Sequence, residues 1–476
     1  MKDIYENPLS SRYASREMLE IFSEDTKFRT WRKLWIALAE TQMELGLPIA
    51  KEQIDELKAH QDDINYDVAQ EREREVRHDV MSHVYAYGMQ CPGAAGIIHL
   101  GATSCYVGDN TDIIQMRDGL LQIKRLLVSA IDALAKFADA YKDQGTLAFT
   151  HFQAAQPTTV GKRAALWIND LLMDLELLDF TLSGLKLLGC KGTTGTCASF
   201  LELFGGDHEK VLELERRIVR KMGFSEAVPV SGQTYSRKVD YQVLSLLSGI
   251  AQSAAKFSND IRLLSHLKEV DEPFSDGQIG SSAMAYKRNP MRSERIASLA
   301  RYVITGALNP AITAATQWFE RTLDDSANRR ISIPQAFLAT DAILQLVINI
   351  AGGMRVYPKV IEKHLNEELP FMATEAILMR GVQKGGDRQQ LHEAIRRHSV
   401  ATAEKIKLHG GENDLLERIA DDPLFDLTAE ELEGILQYDK YTGRAKEQTD
   451  EFLSGPVRKA LEESKDFLGA DADIKV

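Results

Sequence analysis

The stretch Gly280-Ser-Ser-Ala-Met-Ala-Tyr-Lys287-Arg-Asn-Pro-Met-Arg-Ser-Glu294 crowds reactive side chains into one loop ahead of a helical pattern. Ser281, Ser282, Lys287, Arg288, Asn289, Arg292 and Arg295 fall close together there. Backbone N–H groups after Gly280, beside cationic side chains, would form a nest for negative charge. It is a poor nucleotide-triphosphate loop, because Tyr286 precedes Lys287 and Arg288 follows it, where Gly and Ser or Thr are needed. The plain alternative is a solvated basic loop before a helix.

Other clusters could join it. Arg77-His78-Asp79 and His83 close a charged run, in which Glu73 and Arg77 are spaced to pair on one helix face. His78 and His83 are five apart and do not stack two zinc ligands on one face, so no metal site is expected. His151, between Thr150 and Phe152-Gln153 in a polar loop, has the chemistry of a proton donor, although a structural histidine fits equally. Gly189–Thr196 is a Gly/Thr-rich loop that matches no dinucleotide fingerprint. Arg321, Ser326, Arg329 and Arg330 suit a phosphate or carboxylate; surface pairing with Asp324 and Asp325 is the competing reading. Together these offer anion donors, a histidine and a serine, without a metal set or cofactor fingerprint.

The elements that must position them read as helices. Apolar residues recur at helical spacing over 110–144, 161–188, 237–267, 292–317 and 331–354, and strand-like alternation is nearly absent. Shorter helices are expected at 27–45, 52–60 and 66–89, and Thr428-Ala-Glu-Glu431 reads as a capping box opening a helix at 430–436. The expected layout is all-α, with a helical domain at 1–103, a central bundle of long helices at 104–356 and a helical domain at 357–476. Residues 469–476 read as a frayed tail. A helix of about 50 Å overhangs a small domain, and 243–257 is apolar on more than one face, so a homo-oligomer is expected.

The 476-residue chain carries a formal charge of −13, which disfavours broad contact with nucleic acid or an anionic membrane. Hydrophobic residues at 44% and charged residues at 27% are ordinary for a globular protein. Cys91, Cys105, Cys190 and Cys197 form no paired motif, and the N-terminus has no apolar signal core, so a cytoplasmic setting is expected. The most apolar window, 336–353, is broken by Asp341, Gln345 and Asn349, so no membrane span is expected.

The loop GSSAMAYKRNPMRSE closely resembles the mobile catalytic loop of the fumarase/aspartase superfamily. Its KRNPMRSE continuation resembles the adenylosuccinate lyase family, as do SSRYAS (10–15), RHDVMSH (77–83), HLGATSCYVGDN (99–110), FTHFQAAQPTTVGKR (149–163), GQTYSRKVD (232–240) and YTGRA (441–445). The resemblance runs in order along nearly the whole chain. It implies a carbon–nitrogen lyase of purine nucleotide biosynthesis that eliminates fumarate from adenylosuccinate, giving AMP, and from SAICAR, giving AICAR. It implies a fumarase/aspartase-like fold whose long helices form the core of a homotetramer, with each active site shared between subunits and no cofactor.

Carried over by motif, Ser281 is the general base and His151 the general acid, with Lys287 and His78 also catalytic. The substrate would be bound by Arg12, Tyr13, Arg77, Asp79, Thr103, Ser104, Thr150, Gln233, Asn289, Arg295, Arg321, Ser326 and Arg330. Three positions depart from the family pattern: Ala285 and Ala154 replace prolines, and Cys197 replaces a glutamine. Two other readings stay open. A sister lyase, such as argininosuccinate lyase or fumarase, would share Ser281 and Lys287 but lack Arg12-Tyr13 and Arg330. A catalytically silent scaffold would have no need of Ser281, His151 and Lys287.

Overall fold

A computed structural model describes residues 3–275, 277–284, 286–472 and 474. The chain opens with a short turn at Leu9–Tyr13, then α1 (Arg16–Ile21), α2 (Glu24–Glu44), α3 (Lys51–Ala59), α4 (Tyr66–Val76) and α5 (Asp79–Gln90). The centre holds α6 (Ser104–Ala140), the strands β1 (Gly145–Thr150) and β2 (Gln153–Thr159), α7 (Val160–Gly184), α8 (Ala198–Leu203), α9 (His208–Lys221) and α10 (Lys238–His266). It continues through β3 (Val270–Asp271), α11 (Met291–Gly306), α12 (Leu308–Ala315), α13 (Asp325–Gly353) and β4 (Arg355–Val356). The C-terminal part comprises α14 (Pro358–Met372), α15 (Thr374–Gln383), α16 (Arg388–His409), α17 (Leu415–Ala420), α18 (Ala429–Ile435), α19 (Ala445–Phe452) and α20 (Arg458–Glu463).

The bundle forms because α6, α7, α10, α11 and α13 each bury an apolar stripe against the others. On α6 the stripe is Ile113, Leu120, Ile123, Leu127, Leu134 and Phe137, at helical spacing and none more than 6% exposed. Each such leucine contributes about 1.5–3 kcal/mol relative to exposure. Gly119 lets α13 close on α6: a Cβ there would lie 2.8 Å from the Phe337 ring. Helix α13 is long and apolar enough to cross a membrane, but 78% of its most apolar window is buried inside this bundle.

Successive long helices alternate in direction. One end of the bundle gathers the N-termini of α6, α10 and α13, tied by Arg237 to Asp109 and Asp325 and by Arg329 to Asp112 and Asp240. The other end carries the β1–β2 hairpin and the β3–β4 pair. There Glu269, past the end of α10, accepts from Thr146 of β1 at 3.5 Å and lies 2.8 Å from His364 of α14.

Several expected boundaries move. The helix expected at 66–89 is two helices, because Arg77 turns into the left-handed region (φ 55°) and ends α4. Arg77 therefore leaves the face it was to share with Glu73, and the pair on that helix is Arg72–Glu75. The expected 110–144 helix starts earlier and ends at Ala140, and a hairpin follows from Gly145 in a chain where strand-like alternation is nearly absent. The 292–317 segment divides at Ala307 into α11 and α12. Helix α13 begins at Asp325 rather than 331, so Ser326 and Arg330 sit on its first two turns. The capping box at Thr428 is present and opens α18. The tail is not frayed throughout: Ala470 donates to Ser129 on α6 at 3.1 Å, and Ala470 and Ile474 pack on the core. Residues 473, 475 and 476 lie outside the described residues.

Candidate active site

The expected site residues fall into two groups at opposite ends of the bundle. The first group surrounds the N-termini of α5, α6, α10 and α13. Neither α6 nor α13 has a side chain capping its first N–H groups, while the first N–H of α10, that of Lys238, donates to the Ser236 hydroxyl at 3.4 Å. Free N–H groups and the positive ends of three helix dipoles favour an anion there.

His78 is the N-cap of α5. Its Nδ1 accepts the Met81 N–H at 3.3 Å, and its Nε2 lies 3.3 Å from the Ser104 hydroxyl. Asp79 caps its own turn through the Val80 N–H at 2.8 Å and accepts from Arg330 Nη2 at 3.2 Å. Arg321 donates through Nη1 to Gln233 Oε1 at 2.7 Å and lies 2.9 Å from the Cys105 sulfur. Its buried Nε has no protein partner, which leaves a donor for a ligand. Thr103 precedes α6 and Ser326 stands on the first turn of α13. Burial pushes the Cys105 thiol up to about 12, so it remains a neutral thiol. Trp35 donates to His99 Nδ1 at 2.9 Å, and burial, helped by nearby His78, pulls His99 down to about 4.

The second group sits at the other end. Ser281 lies in the 272–290 loop, pinned to the start of α11 because Asn289 Nδ2 donates to the Gly280 carbonyl at 2.8 Å. The Ser281 Oγ accepts the N–H groups of Met284 at 3.2 Å and Ala283 at 3.4 Å. Two backbone donors on one hydroxyl oxygen favour negative charge on it. The expected nest therefore exists, built by N–H groups from one turn further along the loop. Lys287 is exposed, and its N–H closes the turn on the Met284 carbonyl at 3.0 Å. Arg295, one turn into α11, lies over the Tyr13 ring at 5.4 Å, and Arg12 is exposed beside it. Ala285 lies outside the described residues.

His151 was expected in a loop; it is instead the exposed tip of the β1–β2 hairpin, with Thr150 at the end of β1. His151 and Phe152 have φ of 52° and 57°, as a two-residue primed turn demands, although neither is glycine or asparagine. Such strain in bulky residues persists only where the structure imposes it, and it projects both side chains outward. Ala154 lies in β2, and Cys197 donates its thiol to the Cys190 carbonyl at 3.1 Å.

The two groups do not meet within one chain. Helix α6 has 37 residues, about 55 Å of axis between Ser104 and the hairpin. The six-residue β1 can recover about 20 Å, so His151 stays roughly 30 Å or more from Ser104. Helix α10, with 29 residues, spaces Gln233 from the Ser281 loop by about 43 Å. Beneath the first group lies a buried set: Asp109, Asp112, Tyr235, Arg237, Asp240, Asp325 and Arg329. The sequence pointed to Arg329 as an anion donor and to Asp325 as its surface partner; the other five it did not assign, and Arg329 is instead engaged by Asp112 and Asp240. Asp325, expected at the surface, is 1% exposed.

The chain is 51% identical to adenylosuccinate lyase of Saccharomyces cerevisiae over 477 aligned residues, covering 100% of this chain and 99% of that protein. The chain belongs to the adenylosuccinate lyase family. It is 50% identical to the Schizosaccharomyces pombe adenylosuccinate lyase, covering 98% of this chain and 97% of that protein. Residues 370–452 match the family described as adenylosuccinate lyase C-terminus, and residues 12–305 the family described as lyase. The fold is that of the 3-carboxy-cis,cis-muconate lactonizing enzyme of Pseudomonas putida, with a TM-score of 0.82 at 22% identity, covering 95% of this chain and 100% of that one. Membership in the family makes the polar N-terminal ends, the hairpin tip and the α11 loop the parts to weigh as a site.

Proposed function

We propose that this chain is an adenylosuccinate lyase, eliminating fumarate from adenylosuccinate to give AMP and from SAICAR to give AICAR. The observation that carries the reading is the full-length 51% identity to a relative of that name. Elimination removes a weakly acidic C–H beside a carboxylate and expels a purine nitrogen. Ser281, as alkoxide in its backbone nest, takes the proton; the C–H electron pair becomes the new C=C bond as the C–N bond breaks. His151 protonates the departing nitrogen. The charge that builds on the carboxylate needs donors already in place, which Lys287 and Asn289 supply. The uncapped ends of α6 and α13, with Arg321, Ser326 and Arg330, suit the nucleotide phosphate, while His78, Asp79, Thr103, Ser104 and Gln233 line the same end.

A substrate of this size is far shorter than the roughly 30–43 Å between the groups. The reading therefore includes a homotetramer in which one copy supplies its helix N-termini and others supply the hairpin tip and the Ser281 loop. Helix α7 supports it: Leu166, Met173, Leu177 and Phe180 form an exposed apolar stripe, 47–75% accessible, of the kind a neighbouring copy covers. The test is fumarate release from adenylosuccinate by the wild type and Ser281→Ala. Release by the wild type alone supports the reading; release by neither sinks it, and equal release by both removes Ser281 from the chemistry.

A further inference from the structure

Three motifs each contribute side chains to the phosphate end: HLGATSCYVGDN gives Thr103 and Ser104, GQTYSRKVD gives Gln233, and ERTLDDSANRR gives Arg321, Ser326 and Arg330. Asp109, Arg237, Asp240, Asp325 and Arg329 of the same motifs, joined by Asp112, meet instead in one buried cluster. Arg237 donates from Nε to Asp325 at 2.6 Å and from its two Nη atoms to Asp109 at 2.9 and 3.2 Å. Arg329 donates from Nε to Asp240 at 2.6 Å, lies 2.9 Å from Asp112 and also reaches the Tyr235 hydroxyl. Tyr235 donates its hydroxyl to Asp240 at 2.6 Å and its N–H to Asp109 at 3.1 Å. Both guanidinium planes lie near the Tyr235 ring, at 4.7 and 5.4 Å.

The cluster is expensive to build. Arg237, Asp109, Asp240, Asp325, Arg329 and Tyr235 are all at most 7% exposed, and four carboxylates face two guanidiniums. Burying ions adds little stability over an apolar core of the same shape, but a forked guanidinium accepts one register only. Asp240 and Asp325 stand in the first turns of α10 and α13, where the helix dipoles offset the negative excess. Arg329 and Arg330 are neighbours on α13, about 100° apart around its axis, one buried and one exposed: locking Arg329 between α6 and α10 fixes the direction in which Arg330 leaves the helix. Asp109 and Arg237 similarly fix the entry of α6 and the lead from Gln233 into α10.

We propose that Arg237 and Arg329 are positioning residues for the anion-binding end: they set the mutual register of three helix N-termini so that Gln233, Arg321, Ser326 and Arg330 converge on one phosphate. The proposal rests on the function above for its substrate, and the test separates the two. Arg329→Lys keeps the charge and removes the fork; Asp112→Asn alters the half-exposed edge of the cluster and guards against a variant that does not fold. Each is assayed on adenylosuccinate and on the phosphate-free succinyladenosine, with AMP affinity by calorimetry, melting temperature and oligomeric state. The expected result is a KM for adenylosuccinate raised about tenfold or more, with kcat within about threefold. AMP affinity should weaken in step, and KM for succinyladenosine should stay nearly unchanged. Equal losses on both substrates, a fall in kcat at unchanged KM, or a lowered melting temperature with wild-type AMP affinity would each overturn it. If the wild type releases no fumarate yet binds AMP, and the variants bind AMP more weakly, the lyase reading falls and the positioning role stands.

Discussion

Arg330 donates to Asp79 across 3.2 Å, tying the start of α13 to the start of α5 although 251 residues separate them. The side chains are 64% and 31% exposed, so the pair contributes at most about 1 kcal/mol. A phosphate can therefore take the guanidinium from Asp79 at small cost. Arg330→Ala should raise KM for adenylosuccinate roughly ten- to a hundredfold, the value of one charge-assisted hydrogen bond. Its kcat should stay within about threefold, because the phosphate is remote from the bond that breaks. Steady-state kinetics decides it, and an unchanged KM removes Arg330 from the site.

His78 and His151 stand at opposite ends of α6, so a site that uses both draws them from different copies. His78→Ala and His151→Ala should each be nearly inactive as pure proteins. After subunit exchange in equal amounts, a site needs one intact donor of each kind, which chance supplies in about a quarter of cases. Recovery towards that fraction is the expected result. Exchange verified by mass spectrometry with no recovery would mean that one chain builds its own site.

The long helices are legible in the residue pattern itself, because a buried stripe forces apolar residues into a 3.6-residue period, as on α6. The break that delivers His78 is hidden, since the run from Glu71 to His83 is polar enough to continue as helix and only the left-handed turn at Arg77 ends it. The hairpin is hidden because its turn uses His151-Phe152 in place of the Asn-Gly that signals such turns. The Asp109–Arg237–Asp325 link is hidden for a different reason. Each charge alone reads as a solvated face, and its partner lies on another helix at a separation that sequence spacing cannot give. Helix direction is equally silent in spacing, so the division of the site residues between two ends emerges only from the fold.

Gly280 is a close-approach point. A Cβ there would lie 2.3 Å from the Lys287 carbonyl oxygen and 2.9 Å from the Phe274 ring. Gly280→Ala should force apart the two strands of the loop and break the Asn289 contact that pins Ser281. Gly280 is buried and the clash is with backbone, but the strain stays within an otherwise largely exposed loop, so the melting temperature should fall by a few degrees, for a loss of about 1–3 kcal/mol. Turnover should fall by roughly a hundredfold, the scale of misplacing a reacting group by about 1 Å. A circular-dichroism melt beside a fumarate-release assay checks both halves; full turnover in a well-folded variant would show that the Asn289–Gly280 contact is not part of the working conformation.

His83 gives the chain a pH limit on its acid side. Its ring stacks on Phe28 at 3.8 Å and meets Trp31 edge-on at 5.6 Å. Burial, with Arg32 and Lys27 nearby, pulls it from 6.5 down to about 4. In the unfolded chain the imidazole gains its proton near pH 6.5, while in the folded chain it stays neutral down to about 4. The native state therefore has its full stability from this residue above pH 6.5 and loses it progressively as pH falls to 4, by about 3 kcal/mol in all. His99, pulled to about 4 by its own burial, acts in the same window and the same direction. Buried Asp174 and Asp341, pushed up to about 7 and about 6, gain stability over the same fall in pH and offset this loss. Measured beside the wild type, His83→Phe, which keeps the stack on Phe28 and cannot be protonated, should become relatively more stable by a growing margin as pH falls from 6.5 to 4. An unaltered slope in His83→Phe would place the acid limit in other groups.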